Sequence, residues 1–178
     1  MKKNIIFTAF LIFSTLAYSQ KESDLSRNLF KINILTPGFT YERVLGSETT
    51  FNIDANLSFG ATSNGGGQLR LLASPFVRVQ YRNYYNLEKR LAKNKLISGN
   101  SGAYIAPSIS YYMKPINDDS YVSNYDGLTV GAVWGFQKTY KSGVNLGANT
   151  GLGYNFSSNL VHQVVPILNF TVAWVILK

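Results

Sequence analysis

Cysteine is absent, which excludes structural disulfides, thiolate metal centres and a lipoprotein anchor. The one sustained apolar run near the amino terminus covers residues 5–16, and about a dozen residues fall short of the roughly 20 that a membrane-spanning helix needs. Nothing later in the chain reads as a helical span. A third absence is local: over residues 144–155 the polar positions of an alternating segment carry no charge. A soluble sheet normally puts Lys, Glu or Thr on its wet face, so a polar face of Asn and Gly points to a confined interior, that of a membrane β-barrel.

What is present is alternation. In VNLGANTGLGYN, Val144, Leu146, Ala148, Leu152 and Tyr154 share one face, and Asn145, Gly147, Asn149, Gly151, Gly153 and Asn155 the other. The same period recurs over 51–60, with Phe51, Ile53, Ala55, Leu57 and Phe59 outward, and over 75–82, 104–113, 128–138 and 164–176, giving six strands. Residues 29–45 change phase at Pro37-Gly38, a turn signal. Two short strands, 28–36 and 38–45, bring the total to eight; the rival reading is one bulged strand and a total of seven. The expected fold is therefore all-β, an eight-stranded antiparallel transmembrane barrel.

Lys2 and Lys3, the run 5–16 and Ala17-Tyr18-Ser19 have the layout of a signal peptide, with cleavage expected before Gln20. The expected organisation is a signal peptide over 1–19, a periplasmic lead over 20–27 and an outer-membrane barrel over 28–178. The formal charge of +8 falls to about +6 after cleavage. Basic residues scattered among strands argue against nucleic acid, so outer-membrane lipid and lipopolysaccharide are the expected counter-surface. Aromatics gather in two girdles, with Tyr41, Tyr84, Tyr85, Tyr140 and Trp174 at one rim and Phe59, Tyr111, Tyr112, Tyr154 and Phe156 at the other. If the last strand ends in the periplasm, residues 46–49, 84–100 and 139–143 are periplasmic, and 61–68, 114–126 and 156–161 are extracellular loops that a protein partner could meet.

Lys31-Ile32-Asn33-Ile34-Leu35, Tyr41-Glu42-Arg43-Val44-Leu45, the run from Tyr81-Arg82-Asn83-Tyr84-Tyr85 into Asn86-Leu87-Glu88-Lys89-Arg90, and Asn100-Ser101-Gly102-Ala103-Tyr104 carry a resemblance. The chain resembles the small outer-membrane β-barrel proteins of Bacteroidota. The resemblance implies a porin-superfamily barrel related in architecture to OmpA/OmpX-type proteins, and implies no chemistry. The chain departs from better-known barrels in ending on Lys178 rather than an aromatic, and in its long third periplasmic connection.

Strand phase points Lys31, Glu42, Asp54, Arg78 and Arg82 into the lumen, where charges must be paired because desolvating one alone costs several kcal/mol. A salt-bridge network filling the lumen is the expected arrangement, since eight strands leave an interior just wide enough for side chains; a gated narrow conductance is the alternative. His162 with Ser157 and Ser158 raises a lipid-modifying hydrolase, but no nearby carboxylate follows to orient the histidine. Lys89, Arg90, Lys93 and Lys95 mark a basic periplasmic connector, read as a solvated turn or as a short amphipathic helix that lies on lipid headgroups or touches a periplasmic protein partner. Gly65-Gly66-Gly67 lacks the lysine of a phosphate loop, and Asn117, Asp118, Asp119 and Asp126 are too irregularly spaced for a calcium loop. No catalytic residue, cofactor or metal is expected.

Overall fold

The computed structural model describes residues 25–63, 69–117, 127–156 and 162–177. The expected signal peptide, Gly65-Gly66-Gly67, Asp118, Asp119, Asp126, Ser157 and Ser158 lie outside the described residues. The alternating segments form β1 (Asn28–Asn33), β2 (Gly38–Val44), β3 (Thr49–Ser63), β4 (Leu69–Asn83), β5 (Gly102–Tyr112), β6 (Gly127–Thr139), β7 (Val144–Phe156) and β8 (Gln163–Leu177). Every strand is antiparallel to its neighbours in chain order, and β1 pairs with β8 as well as with β2, so the sheet closes into a barrel.

Residues 28–45 form two strands, as the Pro37-Gly38 pair requires. Gly38 has φ +154°, and a Cβ there would lie 2.2 Å from the carbonyl oxygen of Ala55, so the turn needs glycine. β1 stops at Asn33, sooner than the alternation suggests. By contrast, β3 and β4 are 15 residues each, paired from Thr49↔Asn83 to Ser63↔Leu69. In β4 the alternation is blurred because Leu71 faces outward and Leu72 is buried inward, so two adjacent leucines erase the period. Pro107 has no N–H to donate, and the β4–β5 register has no Cα pairs between Gln80↔Ser108 and Asn83↔Ile105.

Sidedness is inverted relative to a water-soluble barrel. Lys31, Glu42, Asn52, Asp54, Arg78, Gln80, Arg82, Gln137 and Asn145 are buried, whereas Phe51, Phe59, Ile105, Ile109, Leu152, Leu168 and Phe170 are exposed on the outer wall. Phase explains this directly: in β3 the even-numbered side chains turn inward and the odd-numbered ones outward.

One end of the barrel carries the connection 84–101, and we refer to it as the connector end. A single helical turn, α1 (Leu87–Leu91), opens this segment, and Asn94, Gly99 and Asn100 then take positive φ and reverse the chain. The reversal folds the connector back across the barrel mouth. Leu87 and Ile97 are buried there with Leu25, Tyr84, Tyr104, Ala106 and Val133 as one apolar cluster.

The outer wall carries Tyr85, Tyr140 and Trp174 towards the connector end and Phe59, Tyr111 and Tyr154 towards the far end, all substantially exposed. Tyr41 is half-buried, its hydroxyl donating to Asn28 Oδ1 at 2.8 Å. Tyr112, half-buried and stacked on the buried Phe76, does not belong to the far girdle, and Tyr84 does not belong to the one at the connector end. It is fully buried, because the inward even-numbered phase of Arg78, Gln80 and Arg82 continues past the end of β4.

Candidate functional site: the interior charge network

The network is centred on Glu42, whose strand β2 turns it inward opposite Leu29 and Asn52. Glu42 Oε1 accepts hydrogen bonds from Thr50 Oγ1 at 2.8 Å and Tyr84 Oη at 2.7 Å. Its Oε2 accepts from Gln137 Nε2 at 2.9 Å and Arg82 Nη1 at 3.3 Å, with Lys31 Nζ at 3.6 Å. Five side chains from β1, β3, β4, β6 and the start of the connector thus converge on one carboxylate. Such density is what a fully desolvated carboxylate requires, because an uncompensated buried charge is far costlier than a paired one.

Each partner is itself held. Arg82 donates from Nε and Nη2 to Gln80 Oε1, at 3.0 and 2.8 Å, and its guanidinium lies 4.6 Å from the centroid of the Tyr104 ring. Tyr104 has room because β6 carries Gly135 opposite it: a Cβ there would come within 2.5 Å of the ring. Lys31 Nζ donates to Gln137 Oε1 at 3.0 Å. Gln137 Nε2 lies 2.9 Å from Glu42 Oε2, from Tyr84 Oη and from the carbonyl oxygen of Asn100; an amide nitrogen has two hydrogens, so two of these contacts are served at any moment.

A second pair lies beside the first. Arg78 Nε is 3.2 Å from Asp54 Oδ2, and Thr40 Oγ1 donates to Asp54 Oδ1 at 2.5 Å. Arg78 also packs 5.1 Å from the centroid of Phe76. Three cations therefore face two carboxylates, and all five are the charges that strand phase turned inward. The void beside them, touched by Lys31, Thr40, Asp54, Arg82, Tyr104 and Gln137, is about 10 Å³, at or below what one water needs.

The connector locks this plug from below. Thr139 Oγ1 donates to the Gly99 carbonyl at 2.7 Å, Ser101 Oγ accepts from Thr139 N at 2.9 Å, and Asn100 Oδ1 accepts from Ser26 N at 2.8 Å. Strand phase alone turns the five charges and Gln137 inward, but it does not show that Gln137, Thr50, Tyr84 and Asn100 join them in one network. Inward phase marks Gln137 and Tyr84; the Gly99-Asn100 pair was the available signal for the chain reversal.

The basic connector residues are not brought into the network. Lys89, Lys93 and Lys95 are exposed around Leu91 and Leu96, which are exposed too, while Arg90 Nη2 donates to the Leu96 carbonyl at 2.7 Å. The His162 ring lies 6.2 Å from that of Tyr154 and 5.7 Å from that of Phe156. Asn117 spends its amide on the backbone of β4, donating to Leu71 O and accepting from Ala73 N. Among the described residues no three of His, Cys, Asp and Glu gather as a metal site.

What the arrangement does chemically is pair both carboxylates with cations and hold them in place. Glu42 has its oxygens occupied by five partners, so the site ties β1, β2, β3, β4, β6 and the connector together inside the barrel. Comparison with protein-family models, with curated proteins and with solved structures finds no match.

Proposed function

We propose that this chain is an outer-membrane β-barrel of the small Bacteroidota type. In this reading it is a non-conducting scaffold with a structural or interaction role, exported by its amino-terminal signal peptide. The observation that carries the reading is the inverted wall: Glu42 is 0% exposed inside while Phe170 is 66% exposed outside. A water-soluble barrel of this size buries its aromatic and aliphatic side chains, whereas a bilayer is the solvent that accepts Phe and Leu on the outer face and leaves polar groups to pair within.

The connector end then faces the periplasm, which puts Lys89, Lys93 and Lys95 level with anionic headgroups. The far end presents the loops to the outside, where a protein partner would meet them. The filled bore supports a scaffold over a channel, and a carboxylate with no open coordination supports a scaffold over an enzyme. Planar-bilayer recordings of the purified protein test it. Silence is expected, including for Arg82→Ala, because Tyr84, Tyr104 and the Leu87–Ile97 cluster still close the bore; steady unitary conductance of the unaltered protein would replace the scaffold with a channel.

A further inference from the structure

Among the described residues, the barrel wall is lower on one side at the far end. β1 and β2 are six and seven residues long, but the strands flanking them, β8 and β3, are 15 each. β2 pairs with β3 only as far as Gly38↔Asn56, capped by the bond from Leu57 N to Pro37 O. β1 pairs with β8 only from Leu177 to Ala173, capped by the bond from Ile34 N to Val172 O. Among the described residues, 58–63 of β3 and 163–171 of β8 therefore have a ladder on one side only. Among the described residues, no strand pairs with these two edges above the Pro37-Gly38 turn.

A cavity of about 520 Å³ opens at this place, lined by Ser110, Tyr112, Thr129 and Asn155 from the interior and by all seven residues from Gln163 to Asn169 of β8. A cavity that touches seven residues in a row runs along β8, the strand whose edge is unpaired over the same stretch. Its lining is amphipathic. Val165 and Ile167 turn inward and are half-buried, Phe76 and Tyr112 stack nearby at 5.2 Å between centroids, and Ser110, Thr129, Asn155 and Asn169 supply hydroxyls and amides. On the outside the opening is bordered by Val164 and Leu168, both about two-thirds exposed.

The edge itself selects the occupant. Because the Val172 carbonyl points towards β1, the even-numbered residues of β8 aim their backbone groups at the gap, and one of them is Pro166. Proline offers no N–H, and its ring obstructs an incoming strand, so this edge is blunted against strand addition. A flexible aliphatic chain needs no backbone partner. The volume falls in the range of small-ligand sites, about 300–1,000 Å³.

We propose that this opening is a lateral port through which an acyl chain of a membrane lipid enters the far half of the barrel, its chain against Val165 and Ile167 and its polar linkage beside the hydroxyls and amides. The port rests on the membrane reading above, and the test separates the two. The cysteine-free chain allows single bimane labels at Ile167→Cys, inward, and Leu168→Cys, outward. In proteoliposomes of phosphatidylcholine and phosphatidylglycerol brominated on the acyl chains, both labels are expected to be quenched by bromine and spared by aqueous iodide.

Loss of bromine quenching at Leu168 would overturn the membrane reading and the port together. Quenching at Leu168 with iodide alone reaching Ile167 would leave the membrane reading standing and overturn the port in favour of a watery vestibule. Quenching at Leu168 with neither quencher reaching Ile167 would overturn the port in favour of a gap covered by polypeptide. Native mass spectrometry of the unlabelled protein provides a second measure: one lipid should remain bound after detergent exchange and be lost in Val165→Trp, and a barrel that retains none would contradict the proposal.

Discussion

At the scale of single residues, Glu42 bears the greatest consequence. Lys31 and Arg82 both depend on it, and both are buried. Glu42→Gln removes the charge without changing the shape, leaving two cations facing each other in a dry bore. The expected cost is about 3–5 kcal/mol, read as a lower midpoint for urea unfolding in detergent micelles; an unchanged midpoint would show that the cations find other partners. Tyr84 gives a pH signature. Burial, reinforced by the Glu42 carboxylate, holds its phenol well above the ordinary value. Its contribution is complete below the unfolded-chain value of about pH 10 and is lost as pH rises from there towards the elevated native one, since the unfolded chain releases that proton first. Tyr84→Phe is expected to flatten this alkaline decline while costing about 1–3 kcal/mol at neutral pH. An equally steep decline in the variant would place the effect elsewhere.

At the scale of elements, the connector shows where sequence reading reaches and where it stops. Strand count, strand phase and the five interior charges were legible because each depends on a period of two within one segment. Tyr84 was misplaced because its phase was not carried past the end of β4. The fold-back of residues 97–101 was illegible because it depends on two positive-φ residues and on partners in β6 and at Ser26, far away in the chain. The lower side of the wall was hidden for a related reason: it is a difference in length between paired strands, visible only once register is known. The same element carries a prediction. Ile97→Ala, in the buried cluster, is expected to cost about 2–5 kcal/mol, measured by the same urea titration. Lys89→Gln, Lys93→Gln and Lys95→Gln together should leave that titration unchanged and reduce the preference for spin-labelled phosphatidylglycerol over phosphatidylcholine. Arg90 is set apart by its bond to the Leu96 carbonyl, so Arg90→Gln should instead loosen the connector.

At the scale of the whole molecule, two compartments share one barrel. The connector half holds the interior charges and the Leu87–Ile97 cluster; the far half is amphipathic inside and, among the described residues, has two unpaired strand edges above Pro37. In the reading proposed above, such a barrel closes the route along its axis and leaves one through its wall. The central claim beneath both halves is that the outer wall meets lipid. Nitroxide labels placed one at a time at each residue of β6 from Leu128 to Thr139, in proteoliposomes, measure it most directly through collision with oxygen. Oxygen accessibility should rise and fall with a period of two, with maxima at Leu128, Val130, Trp134 and Phe136 and minima at Thr129, Val133 and Gln137. A flat profile, or maxima reached instead by a water-soluble nickel complex, would contradict the account.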